Sequence, residues 1–419
     1  MSILIRNTTV LSCDDIRKDV NIYISDGVIK YIGSKCDFEA GEVIDGTNKA
    51  VIPGLVNAHT HVPMTLFRSY AEGLPLEQWL FEKIFPAEDR LSDEDIYWGA
   101  MLGILEMIAS GCTSFNEMYA GTKEIAKAVS ETGVRAVISR GLLYDGKENT
   151  KTEQRLTENI EFYKEYNNAA DGRIKVGFGM HSVYTCSPEY LRACANTAAE
   201  LGAVAHIHLS ETATEQNNCI KTYGKTPAEQ MRDAGVFDLP CVAAHCVHLT
   251  EGDMEILAGN GVFAAYNPSS NLKLKSGIAP VMKMREKGVR VCLGTDGASS
   301  NNNLNMMEEL HLGALLSGMS ADDAFKMATC EGAAALGFDN TGDIKEGMCA
   351  DMVLIDIDKP HFYPMHDLRS NIIFSAGGAD VWATIADGRL LYKDGEFKTA
   401  DFERIKFNIE KCKERLFDV

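Results

Sequence analysis

The apolar positions along the chain change period twice. Near the start, "ILIRNTTVL" (3–11), "NIYISDGVIKYIG" (21–33) and "GEVIDGTNKAVIPG" (41–54) are short β-type runs separated by turns. Asp-Gly at 26–27 and again at 45–46 is a hairpin-type turn signal. The same texture returns late, in "GDIKEGMCADMVLIDID" (342–358) and "VWATIADGRLLYKDGEF" (381–397), with Asp-Gly at 387–388 and 394–395. Two β-rich ends around a different middle predict one small β-sandwich built from residues 1–52 together with 343–398. Residues 399–419, which include "FERIKFNIEKCKERLFDV", carry mixed charge at helical spacing and predict an amphipathic surface helix.

Between the ends, over 53–342, short apolar runs alternate with helical patterns. The runs are "AVIPGLVNAHTH", "CTSFNEMY", "VRAVISRGLL", "IKVGFGMHS", "AVAHIHLSE", "PCVAAHCVHL", "VFAAYNPSSN" and "VRVCLGTDG". A helix is expected over "SDEDIYWGAMLGILEMIASG", capped by Ser92 with Glu94 and Asp95 in its first turn. Another is expected over "SPEYLRACANTAAELGA", with Ser187 as cap and Pro188 at the first helical position. Eight such units predict an α/β chain whose core is a (β/α)8 TIM-type barrel, although counting alone also admits an open doubly wound sheet. No Gly-x-Gly-x-x-Gly follows an early strand, which argues against a dinucleotide fold.

Composition narrows the class without naming a function. The 419 residues are 45% apolar and 24% charged, as in a soluble globular protein. A formal charge of -19 argues against nucleic-acid and anionic-membrane partners, which need a basic surface. "MSILIRNTTVLSCDD" is too short an apolar stretch for a signal peptide, and no run is long enough to span a membrane. The twelve cysteines form no CxxC pair and read as reduced thiols of a cytoplasmic protein.

The chemistry sits where the apolar runs end, which in a barrel of this type is the functional face. The first run ends in His59-Thr60-His61, two imidazoles on one face of a strand. The fourth ends at His181, the fifth in His206, His208 and Glu211, the sixth in His245 and His248, and the eighth in Asp296. Three imidazoles and a carboxylate suit one first-row metal ion with a position open for water, and His59, His61, His208 and Asp296 are the natural set. His206, two residues deeper than His208, reads as packing against or supporting that set, and His248 as structural. His311, His361 and His366 have no motif around them. Lys175 stands at the start of the fourth run rather than its end, so a carbamate-bridged pair of metals is not expected.

Taken together, "PGLVNAHTH", "HLSE", "AAHCVHL", "NPSSNLKL" and "LGTDGASSNN" resemble the signature segments of the amidohydrolase superfamily. Within it they are most similar to the methylthioadenosine/S-adenosylhomocysteine deaminases. The resemblance covers about residues 51–340. It implies metal ligation by His59, His61, His208 and Asp296, proton transfer by Glu211 and catalysis by His245. It also implies binding of the ribose hydroxyls by Glu88, a further substrate contact at His181, and binding of the substrate tail by Arg140. A second tail arginine would be Arg155, after a loop that is longer here. Trp79, at helical spacing in "LEQWLFEKIF", is read as core; Asn301 to Asn303 read as a turn that shapes the site.

The implied reaction is hydrolytic deamination of a 5'-substituted adenosine, a small nucleoside, to the inosine compound and ammonia. Hydroxide attacks C6, Asp296 accepts its proton, Glu211 protonates ring N1, and His245 stabilises charge on the attacking oxygen. Zinc is the expected ion, and Fe2+, Ni2+ or Mn2+ suit the same donors. A homo-oligomer is expected. Two alternatives keep the fold: displacement of an amino or chloro group from guanine, a pterin or a triazine, and a non-catalytic scaffold.

Overall fold

In the computed structural model, which describes residues 2–35, 37–144, 146 and 149–417, the eight apolar runs of the middle are eight parallel strands. They are Leu55–Thr60, Cys112–Tyr119, Arg135–Leu142, Ile174–Met180, Val204–Leu209, Cys241–His245, Phe263–Tyr266 and Arg290–Leu293, paired in sequence order. Their side chains are buried almost throughout, which is why they read as unbroken apolar runs rather than alternating ones. The first and last strands approach through His59, whose carbonyl accepts the N–H of Thr295 (3.2 Å) and of Asp296 (3.0 Å). Gly294 permits that approach: a β-carbon there would lie 2.8 Å from the backbone nitrogen of His59.

The helices begin where their caps predict. Ser92 and Asp95 form a reciprocal capping box at the head of Asp93–Ala109, and Ser187 caps Pro188–Leu201. Both chain ends contribute to one mixed sheet of nine strands. Its outer strand Val28–Gly33 bridges back to Cys349 and bonds Met348 O through the N–H of Ile29. The folded-over sheet encloses its own apolar core, including Ile3, Ile5, Ile24, Met352 and Ile385. Three of the four Asp-Gly turns reverse the chain between antiparallel strands. Asp45-Gly46 does not. Glu42–Asp45 and Lys49–Pro53 both run parallel to Ser2–Leu11, so this turn offsets the chain along its neighbour instead of making a hairpin. Gly46 is needed there because a β-carbon would stand 2.7 Å from Arg6 O.

The segment after the first barrel strand crosses the strand ends. It runs through a 3-10 turn, Val62–Phe67, into helix from Leu76 to Glu88, of which Trp79–Ile84 is π-helical. The C-terminal helix Phe402–Phe417 buries Ile405, Cys412 and Leu416, and its last ring, Phe417, packs on Tyr70 at 4.6 Å between centroids. The helix therefore braces the loop that covers the site. No helix of the described residues is long and apolar enough to cross a membrane, and no disulfide joins the described cysteines.

Candidate metal-dependent active site

The barrel strands bring the predicted residues to one end, and sharp backbone turns aim them. Ser210, His245, Cys246 and Asp296 all have positive φ, at 48°, 73°, 53° and 61°. L-residues rarely adopt this region, and its clustering at strand ends marks a site held by its surroundings. Nε2 of His61 lies 3.3 Å from Nε2 of His208 and 3.4 Å from Oδ1 of Asp296, and Nε2 of His59 is also 3.4 Å from that oxygen.

The other ring nitrogens show which tautomer each imidazole holds. Nδ1 of His61 donates to Met118 O (2.6 Å) and Nδ1 of His208 to His181 O (3.0 Å), since a carbonyl can only accept. Nδ1 of His59 meets Nε2 of His206 at 2.8 Å. With Nδ1 committed on each ring, the three Nε2 lone pairs converge. Nε2 of His59 is buried with no hydrogen-bond partner, a costly state unless a cation sits beside it. Burial also pushes His59 down to about 3 and lowers His61 and His208, so all three are neutral, the ligating form. Three neutral nitrogens and a carboxylate fit a single divalent ion.

Beside this cluster, Oε2 of Glu211 is 3.6 Å from Nε2 of His245, and its Oε1 accepts a bond from Ser276 Oγ at 3.0 Å. Burial raises the Glu211 carboxyl, which suits a group that must carry a proton near neutrality. Burial opposes a proton on His245, but Glu211 and Asp296 outweigh it and the pKa is raised. Asn271 Oδ1, 2.8 Å from Nδ1, fixes the ring. His245 also lies within reach of a metal bound at His59 and His208.

The cleft over these groups, about 190 Å³, is walled by Trp79, Leu80, Phe85, Leu143 and Leu274. A concave, largely apolar wall over a few converging polar groups suits a small molecule. Glu88 is part of the same lining. Oε1 of Glu88 is shielded from solvent and has no partner, and burial pushes the carboxyl up to about 7. The hydroxyl of Tyr119 stands beside it. Arg140 also lines the cleft, its Nε bonded to Glu158 Oε2 at 3.0 Å. His181 lines it too, with Nδ1 3.0 Å from Thr185 Oγ1. Arg155 is not brought to the lining: it donates to Leu143 O (2.9 Å) and pairs with Glu153 (3.1 Å).

Other expectations sort as follows. His206 supports His59 from below, and His248 bonds Ser276 O at 2.7 Å. His311 and His361 bond Ile373 O and Asp380, away from the cleft, and His366 is exposed. Lys175 bonds Gly337 O near the strand starts, and no lysine is among the described residues that line the cleft. Trp79 is buried in the core as expected, and it also lines the cleft. Sequence reasoning also missed the parts played by "NPSSN". Ser270 Oγ donates to Asp296 Oδ2 at 2.6 Å, and Asn271 orients His245. Asn301 does shape the site, donating to Thr295 O (2.8 Å) and to Glu309.

Comparison with known proteins agrees with this geometry. The model of the amidohydrolase family matches residues 50–391. The chain belongs to the amidohydrolase family. A protein of Dictyoglomus thermophilum named 5-methylthioadenosine/S-adenosylhomocysteine deaminase is 48% identical over 420 residues, covering 98% of each chain. One of the same name from Caldanaerobacter subterraneus subsp. tengcongensis is 45% identical over 430 residues, covering 99% of each. Among solved structures, an adenosine deaminase from Xanthomonas campestris with bound zinc superposes with a TM-score of 0.94 at 29% identity, covering 100% of this chain and 99% of that one.

Proposed function

We propose that this amidohydrolase deaminates 5'-substituted adenosines, methylthioadenosine and S-adenosylhomocysteine among them, to the inosine derivative and ammonia. The observation that carries the substrate class is the buried Oε1 of Glu88, which makes no hydrogen bond and belongs to the same cleft lining as the His–Asp cluster. A buried carboxyl oxygen left without a donor calls for one on the ligand, and a ribose diol can supply it. Close relatives bearing the deaminase name support the same reading.

His59, His61, His208 and Asp296 would hold the ion, here taken as zinc because nitrogen and carboxylate donors in fourfold coordination suit it. When bound, a divalent ion lowers the pKa of water and makes a nucleophile available at neutral pH. The chain's own groups do the rest. Asp296 takes a proton from the attacking water while Ser270 fixes its second oxygen. Glu211 protonates N1 of the adenine ring and so makes C6 electrophilic. His245 hydrogen-bonds the oxygen as charge builds on it. The proton held by Asp296 passes to the 6-amino group, Glu211 takes back the proton of the C6 hydroxyl, the C6–N bond breaks, and ammonia leaves a C6 carbonyl beside N1–H. Glu88 accepts from the ribose hydroxyls, His181 contacts the nucleoside, and Arg140 meets the carboxylate of a homocysteine tail. We further assign this work to a catalytic unit of residues 53–342, with 1–52 and 343–398 forming the β-unit and 399–419 the terminal helix.

The test is incubation with methylthioadenosine under saturating Zn2+. Stoichiometric ammonia and a product one mass unit heavier are expected. Absence of both, with a full equivalent of metal bound, would reject the assignment.

A further inference from the structure

Thr212-x-x-Glu215 has the spacing of a capping box, in which the glutamate would bond the N–H of Thr212. The structure departs from that. Thr212 does cap the helix Ala213–Tyr223, accepting the N–H of Glu215 at 3.1 Å. The Glu215 carboxyl, however, reaches past Thr212 to the two residues before it. Oε1 accepts the N–H of Ser210 at 3.1 Å, and Oε2 accepts the N–H of Glu211 at 2.8 Å. Ser210 is the residue in the left-handed region, and its hydroxyl is held by Gln216 at 3.1 Å. Ser210, Glu211, Glu215 and Gln216 are all buried.

Two bonds from one planar carboxyl to consecutive N–H groups fix the orientation of the intervening peptide. That peptide sets the direction in which the Glu211 side chain leaves the backbone. We propose that Glu215 is a positioning residue for deamination: it locks the strained Ser210–Glu211 turn so that the Glu211 carboxyl stands at N1 of the substrate ring. The inference rests on Glu211 being the proton donor of the proposed reaction. Glu211 is thereby held from both ends, by Glu215 through its backbone and by Ser276 through its Oε1.

A Glu215 that only stabilised its helix would affect melting and leave turnover alone. Glu215→Gln is nearly isosteric but replaces one accepting oxygen with a donor, so only one of the two bonds survives. Proton transfer depends on sub-ångström placement, and kcat for methylthioadenosine is expected to fall about tenfold or more. Metal content and affinity for the inosine product should stay within about twofold, while affinity for an analogue with a tetrahedral, hydroxylated C6 falls in step with kcat/KM. Combining Glu215→Gln with Ser276→Ala should cost less than the product of the single losses, because both act through Glu211. Glu215→Asp, shorter by one methylene, serves if the first variant does not fold, and the same pattern is expected.

The wild-type full-length, metal-loaded protein is assayed first. If it releases no ammonia from any adenosine, the proposed function fails before the variant is considered. If it turns over and Glu215→Gln keeps wild-type kcat, or loses product affinity as much as turnover, the positioning role is overturned.

Discussion

Nδ1 of His59 lies 2.8 Å from Nε2 of His206, both fully buried, so the deeper histidine of "HIHLSE" decides which nitrogen of His59 carries the proton. For His59 to present a lone pair at Nε2, it must donate from Nδ1, and His206 must accept. The proton of His206 then sits on its own Nδ1. A short chain from ring to ring thus sets the tautomer of His59.

Breaking that chain should loosen the metal before it affects the chemistry. His206→Ala is expected to weaken metal affinity roughly 10- to 100-fold, read by chelator competition, with much of the turnover recovered at saturating metal. Unchanged affinity would reduce His206 to a packing residue.

Glu211 is predicted to act on the chemistry alone. Glu211→Gln keeps the shape and the bond from Ser276 but cannot shuttle a proton, so kcat should fall by about 10²- to 10⁴-fold at constant metal content. Stopped turnover with bound metal, measured in the same sample, is the expected outcome.

Much of this arrangement was readable in the chain because of how a barrel is built. Strands buried on both faces must be apolar along their length, so a histidine or aspartate at the end of such a run is conspicuous. His59, His61, His208 and Asp296 were visible for that reason. What escaped depends on geometry that a linear pattern does not carry. Trp79 keeps helical spacing and packs in the core, yet it also forms part of the cleft wall. Ser270 acts on a carboxylate 26 residues away, and Glu215 has the spacing of a plain cap. Asp45-Gly46 has the residues of a hairpin turn, yet the strands on either side follow the same neighbour.

The raised pKa of Glu88, about 7 against an ordinary 4.5, gives two pH-dependent effects of opposite kind. The folded state binds the proton more tightly than the unfolded one. Stability is therefore unpenalised below the unfolded value, falls as pH rises through the window from 4.5 to 7, and stays lowered above it. Glu88→Gln should raise the melting temperature of the substrate-free protein more at about pH 8 than at about pH 5. The same change replaces one of the two accepting oxygens with a donor, so KM for ribosides should rise roughly 10-fold or more. In the wild type KM should climb as pH falls through about 7, and the variant should lose that slope.

The two arginines are expected to differ. Arg140→Met should cut kcat/KM for S-adenosylhomocysteine roughly 10- to 100-fold, the scale of a lost charged hydrogen bond, while methylthioadenosine changes little. Arg155→Met should spare both, because its guanidinium is turned to Leu143 O and Glu153 outside the cleft.

The central claim joins a single metal ion to an adenosine-type substrate, and one comparison tests both. kcat/KM is measured for methylthioadenosine, S-adenosylhomocysteine, adenosine, guanine and a chlorotriazine, before chelation, after it, and after Zn2+ is restored. The account predicts ammonia release from the ribosylated adenines alone, lost on chelation and regained with metal. Turnover of guanine or the triazine in preference to every adenosine, or full activity in the chelated protein, would contradict it.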